Sequence, residues 1–246
     1  PCWGSVKMRR SMVGTYRRCH DGPVQVTQLW RYPVKSMIGE SLTAAEVGPL
    51  GIDGDRQRGL VDRETGLVLT ARRVPQLLFA EPVADGDRMA VRLPDGSVTD
   101  DDDVLSAWVG RSVELRRPAP DERGRYAREG ARLDDEAPAR WEGPAGVWHD
   151  STRTRLSIVA EEALGDRDVR RFRPNVVVRG GDERDLVGAR IRIGSVVADV
   201  VKEIDRCVIV TRAQPGLDRD TSVLTQVHAE RAGNLGVGAL VVAAGR

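Results

Sequence analysis

Cationic, hydroxyl and amide side chains recur in four short segments, each at the end or the break of an apolar run. Tyr32-Pro33-Val34-Lys35-Ser36 puts a lysine and a hydroxyl where a strand-like run is interrupted. Gly54-Asp55-Arg56 follows the Gly48-Pro49-Leu50-Gly51 turn. Leu69-Thr70-Ala71-Arg72 reads as a strand end. Arg171-Phe172-Arg173-Pro174-Asn175 opens the apolar run Val176-Val177-Val178. Such side chains can converge on a phosphate and a polar heterocycle, with arginine giving bidentate bonds to phosphate oxygens. Each segment taken alone has a plainer reading, because an arginine-rich chain exposes many arginines. A fifth segment runs from Glu203 through Asp205-Arg206-Cys207-Val208 to Thr211, followed by Gln214-Pro215-Gly216. An isolated cysteine in such a strand-like run is often a small buried hydrophobe. A cationic neighbour such as Arg206 favours instead the thiolate, the form that ligates soft redox metals. The residues alone leave both readings open.

Composition narrows the setting. The 38 basic and 37 acidic residues nearly cancel, so bulk charge points to neither nucleic acid nor a membrane surface. No apolar run approaches the roughly 20 residues that span a bilayer, so no membrane span is expected. Residues 1–22 carry Lys7, Arg9, Arg10, Arg17 and Arg18 without an apolar core and read as a flexible leader, not a secretory signal. Three cysteines, Cys2, Cys19 and Cys207, make no disulfide framework. With no CxxC pair, and only His20, His149 and His228 to supplement the thiols, a structural zinc site is not expected either. The expected location is cytoplasmic.

The elements that must position these residues are mostly short strands. Val24–Trp30 is β-prone and is broken by Tyr32-Pro33. Arg88–Leu93 alternates cleanly and runs into the Pro94-Asp95-Gly96-Ser97 turn. The acidic run Asp100–Asp103 reads as the start of a helix through Trp108, where carboxylates favour the positive end of the dipole. Residues 118–147 mix Pro, Gly and charge with few aliphatics and read as a linker or mobile loop. Beyond it come a strand at Leu156–Val159, a helix near Glu161–Val169, and strands at Asn175–Val178, Ala189–Ile193 and Ser195–Val201. A helix started by Asp220, with Val223, Leu224 and Val227 as its stripe, precedes a last strand at Val237–Val242. The sum is a β-rich α+β chain of two lobes.

Tyr-Pro-Val-Lys-Ser, Thr-Ala-Arg, Arg-Phe-Arg-Pro-Asn-Val-Val-Val and Asp-Arg-Cys-Val-Ile-Val-Thr occur in that order. Together, over about residues 24–246, they resemble the MOSC family (molybdenum cofactor sulfurase C-terminal domain) with its N-terminal β-barrel partner, as in amidoxime-reducing components. The resemblance implies an N-terminal β-barrel lobe over 23–117 and a MOSC-type β-barrel lobe over 148–246, with 118–147 between them. It implies molybdenum cofactor bound through Cys207. Lys35, Ser36, Arg56, Thr70, Arg72, Arg173, Asn175, Arg206 and Thr211 would hold the pterin and its phosphate, and Asp205 would act beside the metal ligand. The implied activity is two-electron reduction of small N-hydroxylated or N-oxide substrates. With no cysteine-rich iron–sulfur segment in this sequence, a separate reductase would donate the electrons. The chain departs from the family pattern at Ile204 and Asp205, where a cysteine and a small residue are usual. Two other readings stand beside the reductase. One is a carrier of sulfur or cofactor using a Cys207 persulfide. The other is a biosynthetic enzyme or binding module that has kept the fold without molybdenum.

Overall fold

The structure is a computed structural model that describes residues 7–9, 24–86, 88–127 and 140–246. The chain begins with short strands: β1 (Lys7–Arg9), β2 (Gln25–Arg31), β3 (Glu40–Leu42), β4 (Val47–Gly48), β5 (Gly51–Ile52) and β6 (Gly59–Asp62). Next come β7 (Glu81–Asp85), β8 (Arg88–Arg92), β9 (Val98–Thr99), helix α1 (Asp102–Val109), β10 (Val113–Arg116), β11 (Arg123–Ala127) and β12 (Arg140–Ala145). The second half holds β13 (Leu156–Ala160), α2 (Glu161–Leu164), β14 (Val176–Arg179), β15 (Arg190–Ile193), β16 (Val196–Asp205), α3 (Ser222–Arg231) and β17 (Asn234–Ala243).

Eight strands form the main sheet, in the order β1-β15-β16-β17-β13-β14-β2-β3. Among the described residues, only the β13–β14 pair within it is parallel. Every residue of β13 is buried, as expected of a strand covered on both faces, and its one polar side chain, Ser157, donates to the Asn175 amide oxygen. Ile158 and Val176 pack with Val200 and Val237 on one face. Val159 and Val177 pack on the other, against Val223 and Val227 of α3. In β15, Arg190 and Arg192 alternate with Ile191 and Ile193, of which Ile191 is fully buried. Of the expected leader, residues 7–9 add an edge strand to β15; the rest lies outside the described residues.

The first lobe has its own core, where Val34, Leu60 and Leu69 meet Leu77, Val91, Leu105 and Val113. Its strands pair in short pieces, β6 with β10 and β7-β8-β9 together. The two lobes are nevertheless interlocked. β2 pairs with β14, and Val26, Leu29 and Leu42 pack into the core of the main sheet, although they lie within the expected first lobe.

Three expectations are corrected. Residues 118–147 are not a loop throughout, since β11 pairs with β12 and Tyr126 stacks on Trp141 with ring centroids 5.4 Å apart. Tyr126 and the neighbouring Trp148 are both buried. Aromatic residues supply the burial there, so a count of aliphatics underestimates it; residues 128–139 lie outside the described residues. The helix expected near Glu161–Val169 stops at Leu164, where Gly165 turns the chain with φ 56° and ψ −131°, a conformation open to glycine. Cys207 is not within a strand. β16 ends at Asp205, and Cys207 is the extended residue ahead of a 3-10 turn at Val208–Thr211.

Candidate functional site

A cavity of about 730 Å³ lies between the two lobes, within the size range of small-molecule and cofactor sites. The first lobe brings Lys35, Ser36, Arg56 and Arg72 to it. The second brings Arg171, Arg173, Asn175, Lys202, Asp205, Arg206 and Cys207. His149, Asp150 and Trp141 line it from the segment that joins the lobes. Nine of the residues expected from the sequence are therefore gathered at one cavity. Thr70 and Thr211 do not line it. Thr70 spends its carbonyl on the turn to Arg73 and Val74, and the Thr211 hydroxyl donates to Val208 O at 2.8 Å.

The loops that deliver the cations are held in conformations that side chains other than glycine seldom adopt. Ser36, Arg56 and Arg173 have φ of 69°, 52° and 53°, which persists only where the surroundings enforce it. Backbone bonds do so here: Arg56 N donates to Tyr32 O at 2.7 Å, Lys35 N to Arg58 O at 2.8 Å, and Trp148 N to Arg56 O at 2.9 Å. The Ser36 hydroxyl accepts from Ala71 N at 3.0 Å, which ties Ser36 to the strand end carrying Arg72.

Most of these cations are poorly solvated. Lys35 is buried and its ammonium lies 2.9 Å from the Asp150 carboxylate. Burial lowers the Lys35 pKa, against the pull of Asp150, and Arg56 lowers it further. Burial brings the Arg173 and Arg206 guanidiniums down to about 10, still charged at neutral pH. Arg206 Nε donates to Leu235 O at 2.6 Å and Nη1 to Phe172 O at 2.9 Å, while its Nη2 is buried without a protein partner. Arg173 Nη2 is buried in the same state. Leaving charged donors buried and unpaired is costly, so these N–H groups mark where an acceptor belongs.

Asn175 differs from the arginines. Its amide oxygen accepts from Ser157 N and Ser157 Oγ at 3.1 and 3.0 Å, and its amide nitrogen donates to Trp30 O at 3.3 Å. It therefore binds β13 and β14 to β2 while facing the cavity. The Asp205 side chain is 82% exposed at the mouth, 3.7 Å from Lys202.

His149 and Asp150 were absent from the expected set because they follow a stretch that reads as linker. His149 is one of three histidines, and it precedes the polar run Asp150-Ser151-Thr152-Arg153. It is buried, with Nε2 unpaired at hydrogen-bond distance and 3.8 Å from the Asp55 carboxylate. Burial, then the neighbouring Arg56, pushes its pKa down to about 3, so it is neutral at physiological pH.

These features fit a phosphorylated pterin carrying a soft metal. The cavity is lined by cations, two of them with unsatisfied buried N–H groups, and a free thiol opens onto it. Among the described residues no cluster of three or more His, Cys, Asp or Glu could hold a metal.

The chain is similar to known proteins over most of its length. The mitochondrial amidoxime-reducing component 1 of Homo sapiens is 24% identical over 269 residues, spanning 91% of this chain and 75% of the relative. The mitochondrial amidoxime reducing component 2 of Homo sapiens is 28% identical over 260 residues, 90% of this chain and 74% of the relative. Its counterpart in Bos taurus is 36% identical over 89 residues, 35% of this chain and 26% of the relative. Residues 24–105 match the MOSC N-terminal beta barrel domain and residues 150–246 match the MOSC domain. The chain thus belongs to the MOSC family, with the N-terminal β-barrel domain ahead of the MOSC domain.

Proposed function

We propose that this protein binds a molybdenum cofactor through Cys207 and reduces small N-hydroxylated or N-oxide compounds, using electrons from a separate reductase. One observation carries the reading: the buried, unpaired N–H groups of Arg173 and Arg206 lie at the same cavity as the Cys207 thiol. When bound, the cofactor supplies a two-electron redox couple. The protein's own residues do the rest. The Cys207 thiolate holds the metal, and Arg56, Arg173, Arg206 and Lys35 hold the anionic part of the cofactor. Arg72, Ser36 and Asn175 complete the wall. The relatives' names refer to reduction of amidoximes, and reduction of such a compound consumes two protons and two electrons and releases water. In this reading Asp205, exposed and two residues before the thiol, passes protons from solvent at its carboxylate; its exposure supports that role.

Protein from a cofactor-competent host supplied with molybdate is expected to carry about one molybdenum per chain. Cys207→Ser is expected to lose the metal, or to keep it without turnover of an amidoxime by a chemical electron donor. Stoichiometric metal with unchanged turnover in the serine variant overturns the assignment.

A further inference from the structure

Tyr32 does not line the cavity, yet it touches two residues that do. Its ring is buried. Its backbone is locked to the 55–56 turn, with Tyr32 N donating to Asp55 Oδ1 at 2.8 Å and Tyr32 O accepting from Arg56 N at 2.7 Å. The Arg173 guanidinium sits 4.2 Å from the centroid of the ring and that of Arg56 sits 4.9 Å away. Arg56 Nη2 also donates to Arg173 O at 3.3 Å. The carboxylate of Asp55 takes Arg56 Nη1, whereas Arg173 Nη2 is buried without a partner. The two like charges repel, and both belong to residues with positive φ. The aromatic ring in contact with both cations offsets part of that repulsion through its quadrupole.

We propose that Tyr32 is a positioning residue whose ring holds Arg56 and Arg173 side by side at the cavity wall, pre-organised to grip one polyanionic ligand that bears phosphate. The proposal rests on the cofactor reading above and adds a residue that never touches the ligand. The ring acts through its π-electrons. The hydroxyl, buried without a hydrogen-bond partner, plays no part in the grip.

The test keeps the shape of the ring and drains its electrons. Tyr32 is replaced by phenylalanine and by mono-, di- and trifluorinated phenylalanine in the full chain, prepared in a host that makes no molybdenum cofactor. Inorganic pyrophosphate binding is followed by calorimetry. The same series from a cofactor-competent host is read as molybdenum retained per chain after washing at raised salt. Tyr32→Phe is expected to bind like the parent. The fluorinated series should weaken stepwise, to about tenfold overall, at nearly constant melting temperature. In an Arg173→Met background the fluorine dependence should shrink. A flat series in either readout overturns the role of Tyr32 while leaving the cofactor reading intact. Loss of binding in Tyr32→Phe alone also overturns it, since the hydroxyl would then be a ligand contact. A parent chain that neither binds pyrophosphate nor carries molybdenum sinks the cofactor reading, and this inference with it.

Discussion

Arg173 and Asn175 stand two positions apart and do different work. Asn175 is 1% exposed and its amide joins three strands. Removing it strands buried backbone groups, so Asn175→Ala is expected to lower stability by about 2–3 kcal/mol, read from urea unfolding of the apo protein. Arg173→Ala instead removes a guanidinium that rests on the Tyr32 ring and whose Nη2 is buried without a hydrogen-bond partner. It should cut cofactor content while the apo melting temperature moves by only a few degrees; an apo protein that aggregates would make Arg173 a structural residue. His149 gives a pH-dependent test. Its folded pKa of about 3 lies below the ordinary value of 6.5. The unfolded chain therefore takes up a proton as the pH falls through 6.5, and the folded chain does not until about 3. Stability is full above 6.5 and declines through that window as the pH drops. His149→Gln should lose less stability than the parent between neutral pH and about pH 4.5, by roughly 2–3 kcal/mol. Parallel pH curves for the two proteins would count against a buried neutral imidazole.

At the scale of elements, short polar devices end and aim each piece of chain. The acidic run does act as a helix start: the Asp101 side chain accepts from Asp103 N at 2.8 Å and from Val104 N at 3.4 Å. Its neighbour Asp102 accepts from Leu115 N at 2.9 Å and pairs with Arg63. Asp101→Ala should lower stability by about 1 kcal/mol, measured by denaturant midpoint at unchanged slope. Asp220 similarly accepts from Ser222 N at 2.9 Å at the start of α3. The turn carrying Cys207, which follows β16, is held from outside that strand. Arg206 N donates to Gly233 O at 2.9 Å, and Arg171 Nη1 donates to Val210 O at 3.3 Å and to Arg212 O at 3.2 Å. The thiol is thereby placed at the cavity by residues from two other elements.

At the scale of the molecule, the lobes are not independent. β2 and β3 complete the main sheet beside β14, and Val47 bridges to Gly245 near the end of the chain. A fragment of residues 150–246 would expose the buried edge of β14 and the apolar face that Val26 and Leu29 cover, a liability for pairing with other chains. Expressed alone, that fragment should aggregate or lack a cooperative transition by circular dichroism. A soluble fragment with a sharp thermal transition would show that β2 and β3 are dispensable.

Local chemistry in the sequence determined much of this. Strand and helix positions follow from side-chain periodicity and from turn and cap residues, which act within a few positions. So β8, β13, β14 and α1 were legible, as was the set of cationic segments at strand ends. The resemblance of those ordered segments, not their spacing, singled out Cys207. Only the tertiary structure decided which side chains converge. Thr211 reads like a site residue, yet its hydroxyl turns to Val208 O within its own turn. Asn175 reads like a ligand contact and is spent largely on the sheet. Tyr32 stands in a candidate segment without being a candidate itself, and His149 and Asp150 carry no mark of the site locally. They matter because strand pairing brings Asp55, Arg56, Lys35 and Arg173 around them, and burial then keeps His149 neutral while Lys35 holds the Asp150 carboxyl ionised. Contacts across 117 residues, such as Arg56 to Arg173 O, depend on how two lobes pack, and no local pattern encodes that.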